Sequence, residues 1–115
     1  MARTPQEIFQ HHAGALMAGD VDEIVADYTE DAVFITPRGV LHGKDGVREG
    51  FTTLLADVPS ADWDVPTQIF EGNVLFIEWE AVSAKARVRD GVDTFVFSED
   101  GIRVQTVRYT LEPTT

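Results

Sequence analysis

In the stretch Gly91-Val92-Asp93-Thr94-Phe95-Val96-Phe97, one residue is equipped for chemistry. The two-residue period of a strand puts Asp93 on the same face as Phe95 and Phe97. If that face lines a pocket, the carboxyl loses water and its pKa rises. It could then act as a general acid/base near neutral pH, or donate a hydrogen bond to a carbonyl. The alternative is a solvated strand end, two residues beyond Gly91. Gln105 is a second polar residue in an apolar strand, where Arg103, Gln105, Val107 and Tyr109 share one face and Ile102, Val104 and Thr106 the other. It could fix a substrate carbonyl or an ordered water, or lie on a solvated face. His12 stands one helical turn from both Ile8 and Leu16. It is either a proton shuttle, with Asp93 as its partner across a pocket, or a hydrogen-bonded core histidine. Tyr28 adds one inward phenol, and Trp79, with Leu75, Ile77 and Ala81 on its face, packs a wall or stacks on a ligand.

Other chemistries lack their residues. There is no cysteine for a disulfide, a thiolate nucleophile or a Cys-type zinc site. The three histidines have no metal-ligand spacing, and His11 and His12 point to different helix faces. Gly43-Lys44-Asp45-Gly46 lacks the spacing of a phosphate-binding loop. Ser60, Ser83 and Ser98 sit at strand ends, away from any base. No metal and no cofactor are expected. Twenty acidic against nine basic residues, net charge −11, argue against nucleic acid and anionic membrane surfaces. The N-terminal residues contain no apolar run of signal-peptide length, which points to a soluble, cytoplasmic protein.

The elements that must hold these residues follow from local pattern. At 115 residues, 43% hydrophobic and 25% charged, the chain has the size and composition of one globular domain. Thr4-Pro5-Gln6-Glu7 opens a helix with a capping box and a proline at its first position, and Gly19 closes it after Ala18. Asp20 caps a second helix, where the spacing of Val21, Ile24, Val25 and Tyr28 turns Tyr28 inward. A short strand over 32–36 returns through 40–42. A third helix follows Gly43 with the stripe Val47, Phe51, Leu54, Leu55 and Val58, weakened by Gly46 and Gly50. Beyond Pro59 the pattern predicts strands over 62–71, 74–83, 85–97 and 101–111. Turns at 71–73 and 99–101 join them in pairs, and Gly91 marks a bulge or kink within one long strand. Helices followed by strands make an α+β domain, with three helices over one face of a curved, mostly antiparallel sheet and a pocket between them.

This order, with "AGDVDEIVADYTEDAVFITPRGVLHGKDGV" and "GVDTFVFSEDGIRVQTVRY", resembles the NTF2-like superfamily, the cone fold of nuclear transport factor 2, ketosteroid isomerase and the SnoaL-like cyclases. The resemblance spans roughly residues 5–111. It implies that Asp93 corresponds to the isomerase's oxyanion-hole Asp and Tyr28 to a Tyr of the supporting network. His12 stands where the oxyanion-hole Tyr would be. Thr36 stands at the base position, and a hydroxyl cannot abstract a carbon-bound proton at neutral pH. Gln105, Val107 and Tyr109 face the pocket by the same resemblance, with Phe34, Thr36 and Phe51 completing its lining. Three functions follow: cofactor-free acid/base catalysis on an apolar carbonyl compound, non-catalytic binding of a small apolar molecule, or a protein-interaction module. The outer sheet face (Val92, Thr94, Val96, Val104, Thr106) would be an apolar patch on a monomer, and the resemblance implies that it packs against a twin as a homodimer.

Overall fold

The computed structural model describes residues 3–99 and 101–114. Helix α1 spans Pro5–Ala18, with Thr4 Oγ1 accepting from the Glu7 amide and the Glu7 carboxylate accepting from the Thr4 amide. It ends where Gly19 turns left-handed at φ 67°. Helix α2, Val21–Ala26, is capped by the Asp20 carboxylate. Strands β1 (Tyr28–Thr36) and β2 (Gly39–His42) form a hairpin, followed by α3, Gly43–Asp57. Then come β3 (Asp62–Glu71), β4 (Val74–Val82), β5 (Ala86–Ser98), β6 (Gly101–Arg108) and a two-residue β7, Glu112–Pro113. The sheet order is β2-β1-β6-β5-β4-β3, with β7 on β5; among the described residues only β1 and β6 run parallel. The architecture is therefore α+β: three helices on a curved, unclosed and mostly antiparallel sheet, with the core between them. No helix among the described residues is long and apolar enough to cross a membrane.

Three boundaries differ from the sequence reading. Tyr28 is inward and buried, but it opens β1 instead of ending α2. The Ile102 amide donates to the Asp27 carbonyl at 2.8 Å, and Tyr28 pairs with Ile102, so pairing with β6 ends the helix two residues before Tyr28. Strand β6 stops at Arg108, because Asp90 captures both the amide and the hydroxyl of Thr110, each at 2.8 Å. The chain then turns back to form β7, pinned by Arg89 gripping Glu112 through two hydrogen bonds. The 99–101 turn falls partly on Asp100, which lies outside the described residues.

Bulges decide which face each residue takes. Across β5 the buried positions change from even (Ala86, Val88) to odd (Gly91, Asp93, Phe95, Phe97), because the pairing with β4 slips between Trp79 and Ala81. This is the irregularity expected at Gly91. A second slip, between Val96 and Phe97, does the same to β6. Ile102 is fully buried there and Arg103 points outward to Asp31, the reverse of the faces that simple alternation assigns.

The two glycines that weaken α3 are needed where it crosses the β1–β2 hairpin. A Cβ on Gly46 would lie 2.9 Å from the Leu41 carbonyl carbon, and one on Gly50 would lie 2.6 Å from the Phe34 ring. Gly46→Ala and Gly50→Ala should therefore each destabilise by about 1–3 kcal/mol despite alanine's better helix propensity. Gly14→Ala, at an exposed position of α1 with nothing near its Cβ position, should stabilise by about 0.5–1 kcal/mol. Urea denaturation of the three variants checks both signs.

Candidate functional site

The concave face of the sheet and helices α1 and α3 enclose a cavity of about 590 Å³. Its deep end holds Asp93, Gln105, His12, Phe34, Phe51 and Phe95, and Trp63, Val65, Trp79 and Tyr109 form one wall. Thr36, Arg38, Glu49, Thr53 and Thr110 stand among the polar residues of the lining. Of the residues singled out from sequence, His12, Phe34, Thr36, Phe51, Trp79, Asp93, Gln105 and Tyr109 all border this space, and Tyr28 sits behind Gln105.

Asp93 is held by two donors. Trp79 Nε1–H donates to Oδ1 at 2.6 Å, and Gln105 Nε2–H donates to Oδ2 at 2.6 Å. The Tyr28 hydroxyl donates to Gln105 Oε1, which orients the amide so that its N–H₂ faces Asp93. Gly91 is what lets Trp79 reach: a Cβ there would fall 2.3 Å from the indole, so the ring can lie across the strand only at a glycine. Both neighbours of Asp93 favour the carboxylate, yet burial outweighs them and lifts its pKa to about 7. Burial, with the Asp93 and Asp27 charges, also pushes the Tyr28 phenol well above its ordinary range.

His12 does not meet Asp93. Its ring packs among Phe9, Tyr28, Phe51 and Phe95, with centroids 5.4–6.0 Å away, and Nδ1 is buried with no hydrogen-bond partner. Desolvation lowers its pKa to about 4, so the ring is uncharged at neutral pH. Its neighbour His11, off the apolar arc as expected, instead bonds Asp27 at 2.6 Å and Glu23 at 3.0 Å, and the Asp27 hydrogen bond raises its pKa. Tyr109 packs tilted against Trp79, with ring centroids 5.5 Å apart, and donates to Asp57, while burial pushes its phenol up to about 12. Among the described residues no group of three His, Asp or Glu could hold a metal ion.

Sequence reasoning missed Trp63 and Val65, and it missed the bond from Trp79 to Asp93. The first two share a face by alternation within Asp62–Val65. The bond had a signal, since a buried indole N–H needs an acceptor and Asp93 is the carboxylate that shares a strand face with Phe95 and Phe97.

The two perturbed groups nearly cancel in the pH dependence of stability. Asp93 keeps its proton in the fold up to about pH 7, whereas the unfolded chain releases it near 3.8, so its contribution falls as pH rises between those values. His12 stays unprotonated in the fold down to about pH 4, whereas the unfolded chain protonates near 6.5, so its contribution falls as pH drops through that window. Between pH 4 and 6.5 each state of this pair binds one proton, and the slopes offset. Asp93→Asn should expose the His12 slope, losing stability relative to wild type as pH falls from 6.5 to 4. His12→Phe should expose the opposite slope, and relative to wild type it gains stability over the same descent. Chemical denaturation of both variants across this range reads the sign directly.

The sequence matches the SnoaL-like domain model over residues 9–106. Among curated proteins, none matches. Solved structures share the fold at low identity. An NTF2-like protein of unknown function from Cytophaga hutchinsonii superposes with a TM-score of 0.77 at 13% identity, covering 96% of this chain and 93% of its own. A SnoaL-like protein of unknown function from Burkholderia thailandensis gives 0.74 at 17%, covering 92% and 93%. A hypothetical protein with a ketosteroid isomerase-like fold from Catenulispora acidiphila, in complex with trimethylamine, gives 0.75 at 14%, covering 94% and 88%. At these identities the likeness is one of fold. The α+β cone and the match over most of the chain lead to one conclusion: this protein belongs to the SnoaL-like domain family, within the NTF2-like fold.

Proposed function

We propose that the cavity binds an apolar carbonyl compound and polarises its carbonyl with two uncharged donors, Asp93 and His12, as a cofactor-free enzyme of isomerase or cyclase type. The observation that carries this reading is the one-sided hydrogen bonding of Asp93: the protein offers its carboxyl only N–H donors. When Asp93 is protonated, its O–H has no acceptor among those partners and must be directed to whatever fills the cavity. A carboxylic acid with a pKa of about 7 is half protonated at neutrality, which suits it to give and retake a proton. His12 supports the same reading. With Nδ1 sealed among aromatic rings, a ligand would meet the imidazole through Nε2, and a neutral ring donates from there only as the Nε2–H tautomer. Gln105 and Tyr28 act as positioning residues that hold Asp93 through the amide. Phe34, Phe51, Trp79 and Tyr109 would shape the apolar body of the ligand, and Thr36 would add one hydroxyl.

Thr36 also favours a second reading, non-catalytic binding. It borders the cavity where the resemblance puts the base, and among the described residues no other carboxylate reaches the deep end beside Asp93. The two readings separate in one experiment: deuterium exchange at the α-carbon of aryl alkyl ketones, followed by proton NMR. For an enzyme, wild type should accelerate exchange, with Asp93 O–H donating to the carbonyl oxygen while a water molecule takes the α-proton, so that the rate declines as pH rises through about 7. Asp93→Asn should retain binding, since an amide N–H also donates, while the rate drops about 10²–10⁴-fold. Binding without exchange in wild type leaves the binder.

The proposal includes a homodimer through the outer sheet face. Val40, Ile35, Thr106, Thr94, Phe76 and Ile69 are successive cross-strand neighbours on that side, and Ile35, Val40, Phe76 and Ile69 are exposed. The next row adds Val104, Val96 and Val74. Two adjoining apolar rows across a sheet suit a self-complementary contact. Thr94→Arg, at the centre of the first row, should convert a dimer to a monomer in sedimentation velocity; a wild-type monomer at micromolar concentration would remove the dimer from the proposal.

A further inference from the structure

We propose that the ligand of this cavity carries a carboxylate at the end away from its carbonyl, and that Arg38 anchors it. The inference rests on the reading of the deep end as a carbonyl site, and it adds a class of ligand: an apolar keto acid instead of a neutral ketone.

The first observation is one of pairing. The chain has nine Lys and Arg among twenty acids. Arg3 pairs with Asp27, Lys44 with Glu30, Arg48 with Asp22, Arg87 and Arg89 with Glu112, Arg103 with Asp31 and Arg108 with Asp90. Lys85 donates to the Ala56 carbonyl. Among the described residues Arg38 is the one cation with neither a carboxylate nor a carbonyl partner. With acids in twofold excess, surface electrostatics alone would more readily supply a partner than withhold one.

The second observation is where Arg38 sits. It lines the cavity from the β1–β2 turn, and its position is held: the Arg38 amide donates to Thr36 Oγ1 at 3.1 Å, and that hydroxyl donates to the Gly39 carbonyl at 3.1 Å. Gly39 takes φ 137°, a conformation open to glycine. The turn therefore fixes the backbone that carries the guanidinium. Its charge also reaches the Tyr109 phenol across the opening, where it opposes the rise caused by burial and Asp57. Glu49, the other acid of the lining besides Asp93, makes no ion pair with Arg38.

The polar groups of the cavity are thus split by chemistry. The buried Asp93 and His12 sit at the deep end, an apolar and aromatic body lies between, and one cation remains exposed at the turn. A guanidinium matches a carboxylate through two parallel hydrogen bonds, whereas a buried Asp and a neutral imidazole match a carbonyl. Glu49 would discourage a ligand that brings several negative charges, so a single carboxylate fits better than a phosphate.

The test uses β-naphthoylpropionate and its methyl ester, which share the aryl ketone and differ in one charge. Binding is read by quenching of Trp63 and Trp79, both at the cavity wall. Wild type should bind the acid roughly tenfold tighter than the ester, and the preference should shrink with added salt. Arg38→Gln should lose the preference while holding the ester as before. Asp93→Leu, which removes the donor at the deep end, should weaken acid and ester by the same factor. Equal binding of acid and ester by wild type, or a preference that survives Arg38→Gln, overturns the role of Arg38 and leaves the carbonyl site standing. Failure of both probes to bind overturns the carbonyl reading and this inference with it.

Discussion

Everything at the deep end of the cavity depends on the burial of one carboxyl group. Asp93 lies in the middle of a strand whose other inward residues are apolar, and removing its charge from water costs more than two N–H donors return. The fold limits that cost by supplying those donors from two neighbouring strands, Trp79 on β4 and Gln105 on β6. Tyr28, at the start of β1, then holds Gln105 in the orientation that leaves a donor facing the acid. Three elements beyond β5 thus converge on a single side chain. A valine at this position would need none of these partners, and it is on this acid that the proposed chemistry rests.

Close approach of aromatic rings to glycine backbone builds the walls around that acid. Trp79 lies over Gly91, and Phe34 lies under Gly50 on α3, each at a distance no Cβ would allow. The first contact turns the indole N–H toward Asp93, and the second brings the helix onto the hairpin that carries Thr36 and Arg38. Glycines that weaken a helix or strand by propensity are here the means by which large rings come within reach of the site. The site and the packing are in this sense the same structure. His12 belongs to it too: its ring fills space among four aromatics, and the isolation of Nδ1 keeps it neutral.

The acidic excess has a different role. Most carboxylates are solvated or pair with cations along the strand edges and between α1, α2 and β1, as Asp27 does with Arg3 and His11. Such contacts tie elements together locally; the exposed pairs contribute little each, whereas the Asp27 carboxylate is buried beneath its partners. Against that background Arg38, unpaired among the described residues, and the buried Asp93 and His12 separate the proposed site from the general surface field.

The element order, the helix caps, the α+β class and the family resemblance were legible in the sequence, because each rests on short-range rules. A Thr-Pro-x-Glu start, a glycine stop, a 3.6-residue stripe and a two-residue alternation act within a few residues of one another. The anomalous residues Asp93, Gln105 and His12 were legible for the same reason, since a polar side chain stands out against an apolar period. What the sequence could not determine was decided by pairing between distant strands. Bulges reversed the faces of Ile102 and Arg103, partnership with β6 moved Tyr28 from helix to strand, and the link from Trp79 through Asp93 and Gln105 to Tyr28 joins residues up to 77 positions apart. A one-residue slip in register exchanges inside for outside along a whole strand. Which polar residues meet is therefore a property of the assembled sheet, while which residues are unusual is a property of the chain.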